Sequence, residues 1–214
     1  EVEELRKETG LTPIQFYHSV LQEVGPIPTI AAHCVHVNEE DIKLLAANGI
    51  GVAHNPGSNL KLASGIAPLV ALMDAGVAVG LGTDGAASNN NLDVLEEARL
   101  AALVHKCASS DPTAIPAQAA LRLATMGGAE ALGLQEQIGS LEVGKQADLI
   151  VLREDSPHLS PRHDIVSRII YSARAADVEL VMVGGEIVVK QGRALTLNRD
   201  VIMSQVQRIV EETW

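Results

Sequence analysis

Residues 29–84 read TIAAHCVHVNEEDIKLLAANGIGVAHNPGSNLKLASGIAPLVALMDAGVAVGLGTD, and the order of the apolar runs in this stretch decides the fold. Three such runs, residues 29–32, 50–53 and 77–81, are strand-length and are separated by helical patterns. Asn38 stands where an N-cap is wanted for EEDIKLLAAN, and Gly49 closes that helix. Residues 66–75 read as a second helix, with Pro68 tolerated in its first turn. Apolar strands without polar alternation, each followed by a helix, indicate a parallel sheet covered on both faces. The three runs also end alike. His33 and His54 follow the first two directly, and the third leads through Gly82 and Thr83 to Asp84. In a (β/α) barrel the C-terminal strand ends form the active-site face, so three metal-competent side chains at three such ends point to one shared site. A polar strand end can also do no more than bond its own loop, and for His54 the two readings are even.

Outward from this stretch the pattern continues for a while and then changes. Residues 1–9 read as a helix ending at Gly10; Thr12, Pro13 and Gln15 start a second with a capping box, and Gly25-Pro26 stops it after Val24. A long helix spans about 92–107, and short Ala-rich helices fill 113–134. From Gly139 the chain turns to β structure. Residues 147–152 read as a strand, 165–171 as a strand or extended connector, and VELVMV-GG-EIVVKQ as a hairpin turning at Gly184-Gly185. Asn198 caps a last helix. We therefore expect residues 1–138 to be part of a barrel, 139–198 part of a small β domain, and 199–214 a C-terminal helix. A closed barrel takes eight strands and typically about 250 residues. Three strand–helix units cannot close, and a chain that opens on Glu1 inside a helical pattern reads as a piece of something longer. Unmatched sheet edges and apolar faces would then favour self-association, as a homo-oligomer or as aggregate.

Composition narrows the partners. Among 214 residues, 16 Lys and Arg face 27 Asp and Glu, a formal charge of -11. Such a surface is ill-suited to phosphate backbones and anionic membranes. The four aromatic residues, Phe16, Tyr17, Tyr171 and Trp214, make no base-stacking platform, so no nucleic-acid partner is expected. Hydrophobic residues reach 47%, enough for a core. The most apolar stretch, residues 66–81, is broken by Pro68 and Asp74 and is too short to span a bilayer, so no membrane partner is expected either. Cys34 and Cys107 form neither a CxxC pair nor a disulfide framework, which suits a reducing, cytoplasmic setting.

HCVH at 33–36, HNPGSNLKL at 54–62, GTDGAASNN at 82–90 and GSLEVGKQADLIVL at 139–152 together resemble the amidohydrolase superfamily, and within it the group of 5-methylthioadenosine/S-adenosylhomocysteine deaminases. The resemblance covers nearly the whole chain. It implies a TIM-type (β/α)8 barrel with a β-sandwich built from both chain ends, a divalent metal such as zinc, and hydrolytic deamination of a small nucleoside. Guanine deaminase or triazine hydrolase chemistry is the alternative within the superfamily; a non-catalytic half-barrel needing a partner chain is the alternative outside it. On that template His33, His54 and Asp84 end strands six, seven and eight. The family's His-x-His pair, its strand-five His and the Glu three residues beyond have no counterpart here, so this chain alone should be inactive.

The chemistry says why these residue types are wanted. Hydroxide must attack a purine carbon near neutral pH, and a bound metal lowers the pKa of its water to about 7. Asp84 is the expected metal ligand and proton acceptor, since a carboxylate beside a cation stays ionised. The resemblance implies that His33 orients the attacking water, and that the Ser88 hydroxyl meets a ring nitrogen of the substrate. His54 either faces the substrate or bonds its loop; His36 is expected to make a structural bond in its loop. Asn89, Asn90 and Asn91 are expected to form turns and cap the next helix. His18, His105, His158 and His163 are expected at the surface, and Glu96-Glu97 on a solvated helix face.

Overall fold

The computed structural model describes residues 2–213. The chain begins with α1 (Val2–Thr9) and α2 (Pro13–Val24), followed by β1 (Ile30–Ala32), α3 (Glu39–Ala47), β2 (Gly51–His54), α4 (Pro56–Lys61), α5 (Leu69–Asp74) and β3 (Val79–Leu81). Next come α6 (Ala86–Asn89), α7 (Val94–Ser109), α8 (Ala117–Leu123) and α9 (Met126–Ala131). The last part holds β4 (Leu149–Leu152), α10 (Ile165–Tyr171), β5 (Val178–Val183), β6 (Glu186–Lys190), β7 (Arg193–Ala194) and α11 (Arg199–Thr213). Strands β1, β2 and β3 pair in that order and in parallel, with Ala31 opposite Val52 and Val52 opposite Val79. The strand–helix alternation read from residues 29–84 is therefore the observed architecture, an α/β unit of TIM-barrel type. Residues 139–198 hold a separate antiparallel sheet, β4-β5-β6-β7. Its β5–β6 turn uses Gly184 and Gly185 at φ 57° and 84°, the left-handed pair that a tight hairpin requires.

Local chemistry sets the helix starts. Thr12 and Gln15 complete the capping box of α2, and Asn38 and Asp41 complete that of α3. Asp41, 1% exposed, also accepts from the Thr12 hydroxyl, so one buried carboxylate ties the two helix starts together. Helix α7 is capped by Asp93, whose carboxylate accepts from the Leu95 and Glu96 N–H groups; the expected asparagine cap is not used. Pro68 precedes α5 as its N-cap, which shortens that helix from the expected 66–75.

Residues 165–171 are helical, against the expectation of a strand or extended connector. Asp164 caps α10 through the Ser167 N–H, and Val166, Ile169 and Ile170 at i, i+3, i+4 make one apolar face against the core. Arg99 fixes the helix end by donating to the Ile170 and Ala173 carbonyls.

The core lies between the parallel sheet and helices α3, α5, α7 and α8. Leu45, Val52, Leu69, Leu72, Ala101 and Ala120 are fully buried in it. Helix α9 lies directly on β2 and β3, and glycines at Gly51, Gly80 and Gly127 permit backbone-to-backbone contact there. Apolar surface remains uncovered elsewhere. Ile27 before β1 and Ile30 at its start are exposed, and α11 buries none of its residues. No helix of the described residues is long and apolar enough to cross a membrane.

Candidate active site at the strand ends

Two strands reach the site through left-handed backbone. His33, directly after β1, has φ 65° and Cys34 has φ 48°; Asp84, three residues after β3, has φ 59°. Non-glycine residues adopt this region at a cost, and such residues cluster at functional sites. The His33 N–H still donates to the Ala53 carbonyl, so the ladder extends to the very residue that leaves the sheet.

These two side chains converge. His33 Nε2 stands 3.9 Å from Asp84 Oδ2. The same oxygen accepts from the Ser88 hydroxyl at 2.5 Å and from the Ser58 hydroxyl at 2.7 Å. Those bonds, led by that of Ser88, favour the charged form and hold the Asp84 carboxyl down at about 2. His33, His36, Ser58, Asn59 and Asp84 line one cavity of about 540 Å³, a size that suits a small organic ligand.

Ser88 is not part of this cavity's lining; its hydroxyl donates to the Asp84 carboxylate. His54 is not brought to this cavity wall. It is 2% exposed and faces His105, with the two Nε2 atoms 3.1 Å apart and the rings tilted by 48°. His105, expected at the surface, is 4% exposed, because α7 turns its 98, 101, 102 and 105 positions onto the sheet. His158 is also engaged, bonding buried Asp177 at 2.8 Å. Burial, then His105, then His33 push His54 down to about 3.

The sign of that shift gives a pH prediction. A histidine whose folded pKa lies below its unfolded value of 6.5 adds stability above 6.5 that is lost as pH falls towards about 3. Each unit is worth about 1.4 kcal/mol. We expect the wild-type chain to lose stability over that window, and His54→Gln to show a much shallower loss, read from urea midpoints at a series of pH values. Equal slopes would remove His54 as the cause.

Sequence reasoning overlooked the residues that hold the site together. Asn55, Ser58 and Asn59 fall at i, i+3 and i+4, one face of α4 and its start, and that spacing was the available signal. Ser58 holds Asp84, and Asn59 Oδ1 lies 2.9 Å from His33 Nδ1. In the orientation its neighbours demand, the Asn55 amide bridges the Ala53 carbonyl and the Asp84 N–H. Glu97, expected on a solvated face, is 2% exposed and accepts from the Gly57 N–H at 2.8 Å and from Asn89 Nδ2 at 2.8 Å. Burial raises its pKa, yet those two donors need its carboxylate, which braces the α4 start against the loop that carries Asp84. Asn89, which lies in α6 and not in a turn, also donates to the Thr83 carbonyl; Asn90 ends α6 in left-handed backbone, the turn expected of it.

The arrangement fits part of a metal centre. Asp84 offers an ionised oxygen ligand beside an imidazole nitrogen. A catalytic zinc takes three protein ligands, and no group of three or more His, Cys, Asp or Glu able to hold a cation occurs among the described residues.

A 5-methylthioadenosine/S-adenosylhomocysteine deaminase of Desulforudis audaxviator (strain MP104C) is 50% identical over 210 residues, covering 97% of this chain and 48% of the relative. Among solved structures, an adenosine deaminase from Xanthomonas campestris with bound zinc aligns with a TM-score of 0.91 at 37% identity, over 99% of this chain and 48% of that one. Atrazine chlorohydrolase from Arthrobacter aurescens TC1, complexed with zinc, aligns with a TM-score of 0.87 at 31% identity, over 98% and 46%. The chain thus spans about half the length of the curated relatives it matches. The amidohydrolase family matches residues 1–188, and with its strand-end histidine and aspartate in place the chain belongs to that family.

Proposed function

We propose that this chain forms the C-terminal portion of a metal-dependent aminohydrolase acting on an adenosine-type nucleoside such as 5-methylthioadenosine or S-adenosylhomocysteine. One observation carries the reading: an ionised Asp84, held by two serine hydroxyls, stands 3.9 Å from His33 on the wall of a nucleoside-sized cavity. Strands β1, β2 and β3 are then the sixth, seventh and eighth of a barrel spanning residues 1–138 in this chain. Residues 139–198 form part of a composite β-sandwich, and 199–214 a C-terminal helix.

Asp84 is the residue of this chain that would hold the cation, and zinc is supported by the zinc-bound neighbours. A divalent metal, when bound, supplies a water that ionises near neutral pH. The chain's own residues do the rest. His33 orients the attacking oxygen at the purine C6 carbon. Asp84 accepts the proton that the water gives up and returns it to the departing amine. The C6–O bond forms first, by addition at the ring carbon, and the C6–N bond then breaks as the protonated amine leaves as ammonia. Ser58 and Ser88 keep the carboxylate in place, and the buried amide of Asn55 fixes its backbone.

A chlorohydrolase reading has one specific support, the triazine-hydrolase neighbour, since the same water could displace chloride. The isolated chain, with a partial ligand set, is inactive in this reading. The complete gene product should release ammonia from 5-methylthioadenosine or S-adenosylhomocysteine faster than from guanine, and faster than it releases chloride from a chlorotriazine. Absence of ammonia from both nucleosides would sink the proposal. Tight stoichiometric zinc in this polypeptide alone would contradict the partial-site reading.

A further inference from the structure

Asn59 is 3% exposed, and its amide faces two different surroundings. Oδ1 lies 2.9 Å from His33 Nδ1, at the candidate site. Nδ2 is buried with no partner, and so is Nδ1 of His54. Both residues line a void of about 10 Å³, shared with Pro56, Leu60, Ile66 and Val104. That volume is at the lower limit of the roughly 10–15 Å³ that one water molecule needs, and a water needs polar partners of this kind. Buried polar atoms left without any partner are rare, and two on residues that line one void call for a common explanation.

We propose that Asn59 is a positioning residue for His33, locked in its orientation by one buried water that it shares with His54. The inference rests on the role proposed above for His33. An amide oxygen only accepts, so His33 donates through Nδ1–H. A neutral imidazole carries one N–H, and Nε2 therefore presents its lone pair beside Asp84. The carboxylate has no call for an imidazole proton, because Ser58 and Ser88 already donate to the nearest oxygen and 3.9 Å is beyond hydrogen-bond reach. The water accepts from Asn59 Nδ2 and donates to His54 Nδ1. His54 then carries its proton on Nε2 and gives it to His105 Nε2, 3.1 Å away. Every proton in the line from the cavity wall to α7 is thereby assigned. Turning the Asn59 amide over would reverse the first step, and His33 would offer a proton to the cavity instead of receiving one.

The test is nitrogen-15 spectroscopy of histidine-labelled chain, full length, at a pH where the histidines are neutral, with His33 assigned through His33→Gln. Wild-type His33 should be in the Nδ1–H form. Asn59→Leu, of similar shape, should move it mainly to the Nε2–H form, whereas Asn59→Asp, which keeps an acceptor, should restore Nδ1–H. The His105 signals report whether the fold survives. If the leucine variant does not fold, the wild-type and aspartate chains decide. A wild-type His33 in the Nε2–H form, or a leucine variant still in the Nδ1–H form, overturns the proposal. An empty void in a high-resolution crystal structure overturns the shared water. In the complete gene product, Asn59→Leu should lower kcat roughly tenfold to hundredfold with a smaller change in KM. A product with no deaminase activity would sink the proposed function and leave the tautomer measurement standing.

Discussion

Asp84→Asn in the complete gene product should reduce ammonia release by about 10²–10³ or more, the range seen when one group that stabilises the transition state is lost. The substitution keeps the shape and removes the charge. An amide cannot take a proton from water, and it is a poor ligand for a hard cation. The two serine hydroxyls that now donate to Oδ2 can rotate to meet either end of the amide, so the loop should keep its form. The melting temperature should therefore move by only a few degrees while kcat collapses. Ser88→Ala is the graded comparison. It removes the leading cause of the depressed Asp84 pKa, so in the metal-free chain the Asp84 carboxyl should titrate at a higher pH than in wild type, read by carbon-13 NMR. Activity of Asp84→Asn within tenfold of wild type would leave the proposed mechanism without its central residue.

The second large effect concerns stability, and it separates two neighbouring glycines. A Cβ on Gly127 would sit 2.3 Å from the Val79 carbonyl oxygen, and one on Gly80 would sit 2.5 Å from the Gly128 Cα. Backbone cannot retreat as a flexible side chain does, so α9 must lift off β3. We expect Gly127→Ala and Gly80→Ala each to lose about 3 kcal/mol or more, the upper range of overpacking. For a chain of this size that is a fall in melting temperature of about 6–12 °C. A Cβ on Gly128, by contrast, meets nothing within 4 Å. Gly128→Ala should be neutral or stabilising by about 0.5–1 kcal/mol, because alanine loses less freedom in a helix. Scanning calorimetry on the three variants would decide. Equal effects at 127 and 128 would show that α9 does not lie on the sheet as described.

The strand–helix order of residues 29–84 was legible because it rests on local chemistry. Apolar runs of strand length, caps such as Thr12 and Asn38, and the paired glycines at 184–185 act within a few residues of one another. The strand ends were equally legible, and His33 and Asp84 do converge. Residues 165–171 were not, since a short apolar run suits either element until the core it faces is known. Asp164 and the buried Ile170 make it a helix.

What the sequence could not supply is which side chains become buried against what. His105 and Glu97 lie on a helix whose polar residues look solvated until α7 is laid against the sheet, where both turn inward. Asn55, Ser58 and Asn59 were visible as a motif, but their partners lie at positions 84 and 33, more than 25 residues away. The amino-acid order by itself determined the alternation of elements and the residues at the strand ends, because those follow from periodicity and short-range bonding. Only the tertiary structure decided how Asp84 is held charged, which way His33 can face and where His54 is hidden, because each depends on distances across strands that no local pattern encodes.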